Sequence, residues 1–390
     1  MEAGTARRHQ LAGAAERRLV VVIGAVVFVD TMFYAVIAPL LPGLTHELHL
    51  SKLSAGVMTA SYPAGTLLAS LPGGVLAVRA GPRFTVGTGL ALLACSTVAF
   101  GFLRSAPALD AARFVEGVGG ACSWAGGLAW IVAETPVAQR GAMIGRALGA
   151  AIGGSLLGPA IGALAALTGR PVLFSAIAVI ACILIAQTRS LPSHEPEPGL
   201  GLEALARTVR RPEMASGMWL MALPAAVSGL INVLGPLRLH RFGAGAGVVG
   251  AAFLIAAAVE AALSPVVGGI SDRRGRLVPL RGGLAGATVA LLCFTLPGTA
   301  ALLAALIVVA AAALGWFWAP AMALLSDAAE KHGLDQGLAA ALMNLAWAGG
   351  QILGAGAGGA VAKAAGDIVP TASLAGVCAL TLALVSRSLR

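Results

Sequence analysis

Long apolar runs separated by short polar breaks recur along the whole chain. Most runs hold about 20 residues or more, enough for a helix rising 1.5 Å per residue to cross the ~30 Å hydrocarbon core of a bilayer. The runs occupy residues 19–41, 53–78, 84–104, 108–133, 140–167, 171–188, 215–237, 246–270, 278–296, 298–326, 336–362 and 368–386. The pattern predicts an all-α integral membrane protein with twelve transmembrane helices, numbered here as spans 1 to 12.

The first run follows a basic segment that contains Arg7, Arg8, Arg17 and Arg18, a feature shared with secretory signal peptides. The run is too long for the apolar region of a signal peptide, and Asp30 interrupts it. We therefore interpret it as a retained first span.

Composition and charge agree with a bilayer environment. Hydrophobic residues make up 58% of the chain and charged residues 11%, and the mean hydropathy is +0.88. With a cytoplasmic N-terminus, 18 of the 26 Lys and Arg residues lie inside, six lie outside and two lie within spans. By the positive-inside rule this bias predicts a protein of the cell (inner) membrane with both termini in the cytoplasm. The net charge of +9 therefore marks orientation and does not indicate a nucleic-acid partner.

The sequence lacks patterns typical of metal, cofactor or ATP chemistry. All five cysteines fall inside predicted spans, without a C-x-x-C pair or a nearby pair of histidines. No glycine-rich phosphate loop ending in Lys-Ser or Lys-Thr is present. We expect no metal, no cofactor and no enzymatic activity.

The chain divides into two similar halves. Residues 190–214 are polar and proline-rich and predict a cytoplasmic linker between six-helix bundles at 1–189 and 215–390. GGVLAVRAG, which contains Gly74, resembles GGISDRRG from Gly268 at an offset of 194 residues, and GGSLLGPAIG resembles GGQILGAGAG at an offset of 196. Two six-span halves of parallel orientation are typical of a secondary transporter with its site between them.

Four stretches resemble motifs of the major facilitator superfamily, and within it of twelve-span drug/proton antiporters. They are DTMFYAVIAPLLP in span 1, GVLAVRAGPR after span 2 with its copy GGISDRRGR after span 8, RFVEGVGGA in span 4 and GSLLGPAIGA in span 5. The resemblance covers the entire chain. It implies two pseudo-symmetric bundles that alternate in exposing a central small-molecule site.

The sequence departs from the family patterns at three positions. Val78 stands where the loop motif after span 2 has an acidic residue, although the second copy keeps Asp272. Ala163 replaces the fourth glycine of the span 5 motif, and Glu116 stands where span 4 more often has an amide. By resemblance Asp272, Arg273 and Gly275 form a gate near the cytoplasmic start of span 5, with no acidic counterpart in the first half.

The span 5 motif places Gly154, Gly158 and Gly162 at four-residue spacing, around Pro159. Small residues so spaced let a neighbouring helix approach closely in lipid, and the proline bends the helix. By resemblance this stretch is a gating element associated with export. The alternative is ordinary helix packing, since glycine is frequent in membrane helices.

Ionisable residues inside spans are the candidates for coupling, because burying a charge in lipid is unfavourable unless it faces a cavity or a partner. The candidates with assigned roles are Asp30, Arg113, Glu116 and Glu260. At 1.5 Å per residue, Asp30 and Glu116 both lie about 17 to 18 Å from the cytoplasmic boundary of the hydrocarbon core. Arg113 lies three residues before Glu116 and shares its helix face. We expect Glu116 to pair with Arg113 and Asp30 to carry the proton, although the roles could be exchanged. Glu260 is either a second coupling site or a polar packing partner.

By resemblance spans 1, 4, 7 and 10 line the central cavity. Candidate substrate contacts on these spans are Phe33, Tyr34, Trp124, Asn232, Trp316 and Phe317. Aromatic walls with few polar groups suit a lipophilic small molecule. The alternative for each aromatic is packing or interfacial anchoring.

These observations predict a proton-coupled exporter of lipophilic small molecules, with substrate, protons and the lipid bilayer as its partners. An importer or symporter of the same fold is the first alternative. A polytopic receptor, scaffold or membrane enzyme is the remote one, because neither a sensor domain nor a catalytic set is present.

Overall fold

The computed structural model describes residues 2–135, 137–191, 211–332 and 336–387. Spans 2 to 6 are the helices Lys52–Arg79, Pro82–Phe102, Ala106–Glu134, Val137–Thr168 and Arg170–Thr188. Spans 7 to 10 are Pro212–Arg241, Ala246–Arg274, Leu277–Cys293 and Ala300–Lys331, and span 12 is Ile368–Arg387. The prediction of twelve helical spans is confirmed, with ends within several residues of the apolar runs. The larger part of the predicted linker, 192–210, lies outside the described residues.

Spans 1 and 11 are interrupted. Span 1 consists of Glu2–Ala35 and Ile37–Glu47, because Pro39 has no N–H to donate to the carbonyl of Ala35. Span 11 consists of Gln336–Gln351, a π-helical segment Ile352–Ala357, and Gly358–Ala365. Among the described residues, eight helical stretches are long and apolar enough to cross a membrane, and one of them, Arg17–Glu47, takes in both helices of span 1.

Four short loops show the repeat directly in the backbone. The loops after spans 2, 5, 8 and 11 each contain a glycine with φ between +81° and +96°, at Gly81, Gly169, Gly275 and Gly366. Residues with a side chain rarely adopt this backbone conformation. Glycine therefore allows each helix to end and the chain to reverse direction within a few residues. Equivalent turns at equivalent positions support two pseudo-symmetric halves.

The two halves meet closely at the end that carries the loops after spans 1 and 7, called here the outer end after the predicted orientation. At Gly250 in span 8 a Cβ would lie 2.7 Å from Ala163 Cβ and 2.9 Å from the carbonyl oxygen of Pro159 in span 5. At Gly359 in span 11 it would lie 2.7 Å from the Lys52 oxygen and 3.1 Å from Gly56 Cα in span 2. Close backbone approach at small residues therefore seals the outer end.

Candidate functional site

A polar cluster lies inside the N-terminal half, formed by Asp30, Tyr62, Arg113, Glu116 and Trp124. Asp30 in span 1 is fully buried. Its Oδ2 accepts a hydrogen bond from the Tyr62 hydroxyl at 2.9 Å and another from Trp124 Nε1 at 3.1 Å. Spans 1, 2 and 4 are thus joined through one carboxylate oxygen.

The second part of the polar cluster is an ion pair. Arg113 and Glu116 are 1% and 0% exposed, and Arg113 Nη1 lies 2.9 Å from Glu116 Oε2. The guanidinium also donates to the backbone oxygens of Phe33 and Tyr34, each at 3.3 Å. It lies 5.3 Å from the centre of the Tyr62 ring. A buried arginine is tolerated because each of these contacts compensates part of its lost hydration.

Glycines in span 4 make room for the polar cluster. A Cβ at Gly120 would lie 2.5 Å from the Tyr62 hydroxyl and 2.7 Å from Asp30 Oδ1. A Cβ at Gly117 would collide with the backbone oxygen of Tyr62. The glycine-rich character of RFVEGVGGA therefore lets span 4 approach spans 1 and 2 closely enough for the hydrogen bonds to form.

The two carboxylate oxygens of Asp30 differ in their hydrogen bonding. Both donors act on Oδ2, while Oδ1 is buried without a hydrogen-bond partner. A buried acceptor without a partner is unfavourable, and the two hydrogen bonds to Oδ2 come from neutral groups. Oδ1 is therefore the atom at which a proton would be added with least disturbance of the cluster.

An aromatic bridge connects the polar cluster to the C-terminal half. The ring of Tyr34 lies 5.0 Å from that of Tyr62 and 5.3 Å from that of Trp347 in span 11, and Tyr62 lies 6.4 Å from Trp347. The Tyr34 hydroxyl lies beside Asn232 of span 7 without a hydrogen bond of regular geometry. Tyr34 and Asn232 therefore stand where the two halves face each other.

Sequence reasoning missed Tyr62 and Trp347. The chain contains two tyrosines, and both are in this site. That scarcity was the available signal, whereas attention to spans 1, 4, 7 and 10 passed over spans 2 and 11.

Three predicted substrate contacts lie elsewhere. Phe33 is fully buried between Phe100 and Phe174, at ring distances of 6.1 and 5.0 Å, on the side of span 1 that packs on spans 3 and 6. Trp316 and Phe317 in span 10 pack on Gly282 and Gly283 of span 9, where added Cβ atoms would lie 3.2 and 3.0 Å from them. These residues therefore contact outer helices in this structure, and their role as substrate contacts stays a prediction.

The C-terminal half has a neutral polar pair where spans 7 and 11 meet. Gln351 Nε2 donates to Ser228 Oγ at 2.8 Å, joining spans 11 and 7, and Gln351 Oε1 is buried without a partner. The π-helical segment begins one residue later, a distortion frequent at functional sites. Glu260 lies in span 8 against span 10, where a Cβ at Gly315 would lie 3.4 Å from Glu260 Cγ.

The span 5 glycines pack on span 1, within the same half. Cβ atoms at Gly154, Gly158 and Gly162 would collide with the backbone of span 1. Pro159 and Ala163, on another face of span 5, meet Gly250 of the other half. The glycines therefore pack span 5 against span 1, while Pro159 and Ala163 make the contact with the C-terminal half.

The outer end is held by an ion-pair hub around Asp367, in the loop between spans 11 and 12. Its carboxylate lies 2.5 Å from Lys52 Nζ of the N-terminal half and 2.5 Å from Arg241, with Arg238 at 3.6 Å. Burial opposes ionisation, but the hydrogen bond and charge of Lys52, together with Arg241, hold the pKa of Asp367 below its ordinary value of 3.8. The hub stays charged across the physiological range and ties the two halves together.

The predicted inner gate lies apart from any partner that the structure describes. Asp272 and Arg273 are exposed at the end of span 8, and Gly275 forms the turn that follows. Neighbouring ion pairs stay within the C-terminal half, with Arg276 2.7 Å from Asp327 and Lys331 3.5 Å from Glu213. Within the described part of the chain, no group of three His, Cys, Asp or Glu side chains could hold a metal ion.

The family model of the Major Facilitator Superfamily matches residues 23–245 and 218–389 of the chain. Two relatives match at lower coverage. A probable vesicular acetylcholine transporter-B of Danio rerio is 31% identical over 196 residues, covering 46% of this chain and 39% of the relative. Multidrug resistance protein 1 of Bacillus subtilis is 28% identical over 173 residues, covering 44% of each. The matches thus span less than half the length of these relatives.

Solved structures resemble the chain over nearly its whole length. A bacterial homologue of the human lysosomal transporter Spinster, inward-facing and unoccupied, has a TM-score of 0.75 at 16% identity and covers 96% of this chain and 97% of its own. The xylose transporter XylE of E. coli, partially occluded and inward open, has a TM-score of 0.73 at 15% identity, with 94% and 97% covered. At such identities the likeness shows the fold alone.

Proposed function

The chain belongs to the Major Facilitator Superfamily and is a multi-pass membrane transporter, and we propose that it exports lipophilic small molecules in exchange for protons. Members of this superfamily bind small-molecule substrates within a lipid bilayer. What supports the finer assignment is the buried Asp30 carboxylate, whose Oδ1 has no partner at the point where spans 1, 2 and 4 converge. It is the observation on which the proposal depends.

In the proposed cycle Asp30 takes up and releases the proton. Tyr62 and Trp124 hold its Oδ2 in either protonation state, so the exchange needs no rearrangement of the polar cluster. Glu116 stays ionised against Arg113, whose further bonds to two backbone oxygens keep the guanidinium in place. The pair supplies fixed charges close to the carboxylate that titrates.

The substrate would bind beside the aromatic bridge of Tyr34, Tyr62 and Trp347. Flat rings from both halves suit a lipophilic molecule, and aromatic faces attract cations. A cationic substrate next to Tyr62 would favour the ionised form of Asp30, while a proton on Asp30 would disfavour the cation. This competition gives exchange without a further device.

Alternation would follow from rocking of the two halves. In this structure the outer end is closed by the Asp367 hub and by the contacts at Gly250 and Gly359. Opening it requires the Lys52 ion pair to break, and closing the inner end would bring Asp272 towards span 5. Export is favoured over uptake by the span 5 motif and by the similarity to a multidrug resistance protein.

Transport into protein-containing liposomes tests coupling and its sign, whatever the orientation of the inserted protein. The probe is a permanently charged lipophilic cation, such as a quaternary ammonium dye, because its charge does not change with pH. Exchange predicts accumulation when the liposome interior is acidic and none when it is alkaline. The opposite dependence would indicate a symporter, and accumulation insensitive to the proton gradient would contradict coupling. Protein-free liposomes provide the background.

Cells with and without the protein test the direction of transport. An exporter lowers dye accumulation, and collapsing the proton gradient abolishes the difference. Higher accumulation in cells that contain the protein would identify an importer and overturn the proposal of export.

A further inference from the structure

A groove with a volume of about 500 Å³ opens between spans 1 and 5, near their inner ends. Its apolar floor is formed by residues that include Val21, Gly24, Phe28 and Ala150, and Val21 is 70% exposed. Two arginines, Arg17 and Arg146, line the same groove. An apolar floor and two positive charges thus occur in one groove. Such a groove suits a molecule with an apolar chain and an anionic head.

The groove faces away from the polar cluster. Arg17, Val21, Gly24 and Phe28 recur at intervals of three or four residues and so follow one face of span 1. At about 100° per residue, Asp30 lies on the nearly opposite face. The groove is therefore not part of the proposed substrate route, and it faces lipid on the other side of span 1.

Neither arginine has a carboxylate partner among the described residues. Arg146 has a hydrogen bond to Met143 Sδ at 3.5 Å, and both arginines are exposed. Ionisable residues within membrane spans normally pair with one another or with a backbone oxygen. Two guanidiniums therefore line one groove without a counter-charge, and a bound anion would supply it.

The side chains of both arginines can reach the headgroup layer. Arg17 lies just before the apolar run 19–41, and Arg146 lies six residues into the run 140–167, about 9 Å from its inner boundary. From that depth a long arginine side chain extends to the membrane interface. Phosphate binds bidentately to guanidinium, and the cytoplasmic leaflet is the leaflet rich in anionic lipid.

We propose that this groove binds one anionic phospholipid of the inner leaflet, with its phosphate between Arg17 and Arg146 and an acyl chain along Val21, Gly24 and Phe28. The lipid would bridge spans 1 and 5, the pair of helices held together by Gly154, Gly158 and Gly162. The proposal does not depend on the transported substrate or on proton coupling.

Binding is measured on the purified full-length protein by native mass spectrometry, with phosphatidylglycerol and phosphatidylcholine of identical acyl chains. We expect one phosphatidylglycerol retained in preference to phosphatidylcholine. The double variant Arg17→Gln with Arg146→Gln should weaken that binding by about tenfold or more, because two charge-assisted contacts are lost. The matched control, Arg79→Gln with Arg189→Gln, removes two exposed inner arginines outside the groove and should bind as the unmodified protein does.

Two further variants keep the test valid if the double variant folds poorly. Arg146→Lys keeps the charge and should retain most of the binding. Val21→Trp fills the groove at an exposed position, leaves both arginines intact and should also lose the lipid.

Three results would overturn the proposal. One is equal retention of phosphatidylglycerol by the double variant and the control, and another is equal retention of the two lipids by the unmodified protein. The third is competition by inorganic phosphate or glycerol 3-phosphate as effective as that by the lipid, which would assign the site to a free anion.

Discussion

In the N-terminal half, spans 1, 2 and 4 bury the Arg113–Glu116 ion pair and the hydrogen-bonded carboxylate of Asp30, whereas the C-terminal half has a part-buried neutral pair, Ser228 and Gln351. The turns after spans 2 and 5 and those after spans 8 and 11 repeat a positive-φ glycine. The repeat therefore preserves helix packing and reversals, while the buried arginine–carboxylate pair and the hydrogen-bonded Asp30 lie in the N-terminal half. In the proposed exchange, this one cluster would take up and release the proton.

The largest effect on transport is expected for Asp30→Asn, which tests whether coupling depends on the N-terminal half. The amide keeps an acceptor for Tyr62 and Trp124 but cannot exchange a proton, so gradient-driven transport should fall to the protein-free background. Binding of the cationic dye, measured by fluorescence anisotropy, should persist with less dependence on pH.

The matched control is Glu260→Gln, the carboxylate within the spans of the other half. It should retain most of the transport activity. If Glu260→Gln loses transport while Asp30→Asn keeps it, coupling belongs to the C-terminal half and the comparison fails.

The hub at the outer end gives the next largest effect. Asp367→Asn removes the charge shared by Lys52, Arg238 and Arg241, and we expect outer-end accessibility to rise about tenfold, as for a loss of about 1.4 kcal/mol. Labelling of a cysteine placed at the outer end, in a background without exposed cysteines, measures it. Glu47→Gln is the control, because Glu47 pairs with Arg104 and Arg170 inside the N-terminal half.

The hub should also resist acid. Its stabilisation is present above the ordinary Asp pKa of 3.8 and is lost as the pH falls through the lower pKa of Asp367 in the folded protein. Outer-end labelling, divided at each pH by the labelling of the same cysteine in Asp367→Asn so that the change in thiolate fraction cancels, should therefore stay constant between about pH 5 and pH 8. A steep rise in this ratio on acidification to about pH 5 would show that another group closes this end.

Glu116→Gln should have a smaller effect than Asp30→Asn. The amide oxygen still accepts from Arg113, which keeps its bonds to two backbone oxygens, so an ion pair becomes a hydrogen bond from a charged donor to a neutral acceptor. We expect the transport rate to fall by about fivefold, corresponding to about 1 kcal/mol, with coupling to the gradient retained. Complete uncoupling in Glu116→Gln would exchange the roles of the two carboxylates.

The smallest effect is expected at the inner end, where Val78 in one half corresponds to Asp272 in the other. Asp272→Asn should raise the labelling of an inner-end cysteine by up to about fivefold, because a carboxylate near a helix N-terminus contributes about 0.3 to 1 kcal/mol. Val78→Asp should lower it by supplying the missing acid. Asp327→Asn, which breaks a pair within the C-terminal half, is the control, and an equal response to all three would remove Asp272 from the gate.

The apolar pattern was sufficient to predict the twelve spans, because each span must bury its backbone in ~30 Å of hydrocarbon whatever its neighbours are. The halves and the charged candidates were equally visible, since repeated motifs and charges in apolar runs are properties of the linear chain. The rotation of each span about its own axis was not visible in the sequence. A helix in lipid is apolar on nearly every face, so the sequence of span 1 does not distinguish Phe33, which packs on spans 3 and 6, from Tyr34, which faces the other half.

Tertiary packing also decided which distant residues meet. Trp316 and Phe317 turn towards span 9, while Tyr62 and Trp347 converge from spans that sequence reasoning had left out of the site. Asp367 lies 315 residues from Lys52, and it pairs with that lysine because close approach at Gly56 and Gly359 brings spans 2 and 11 together. Depth in the bilayer is determined by the free energy of transferring each residue into lipid, which the sequence contains, whereas partners are determined by how close two backbones can come, which depends on both helices at once.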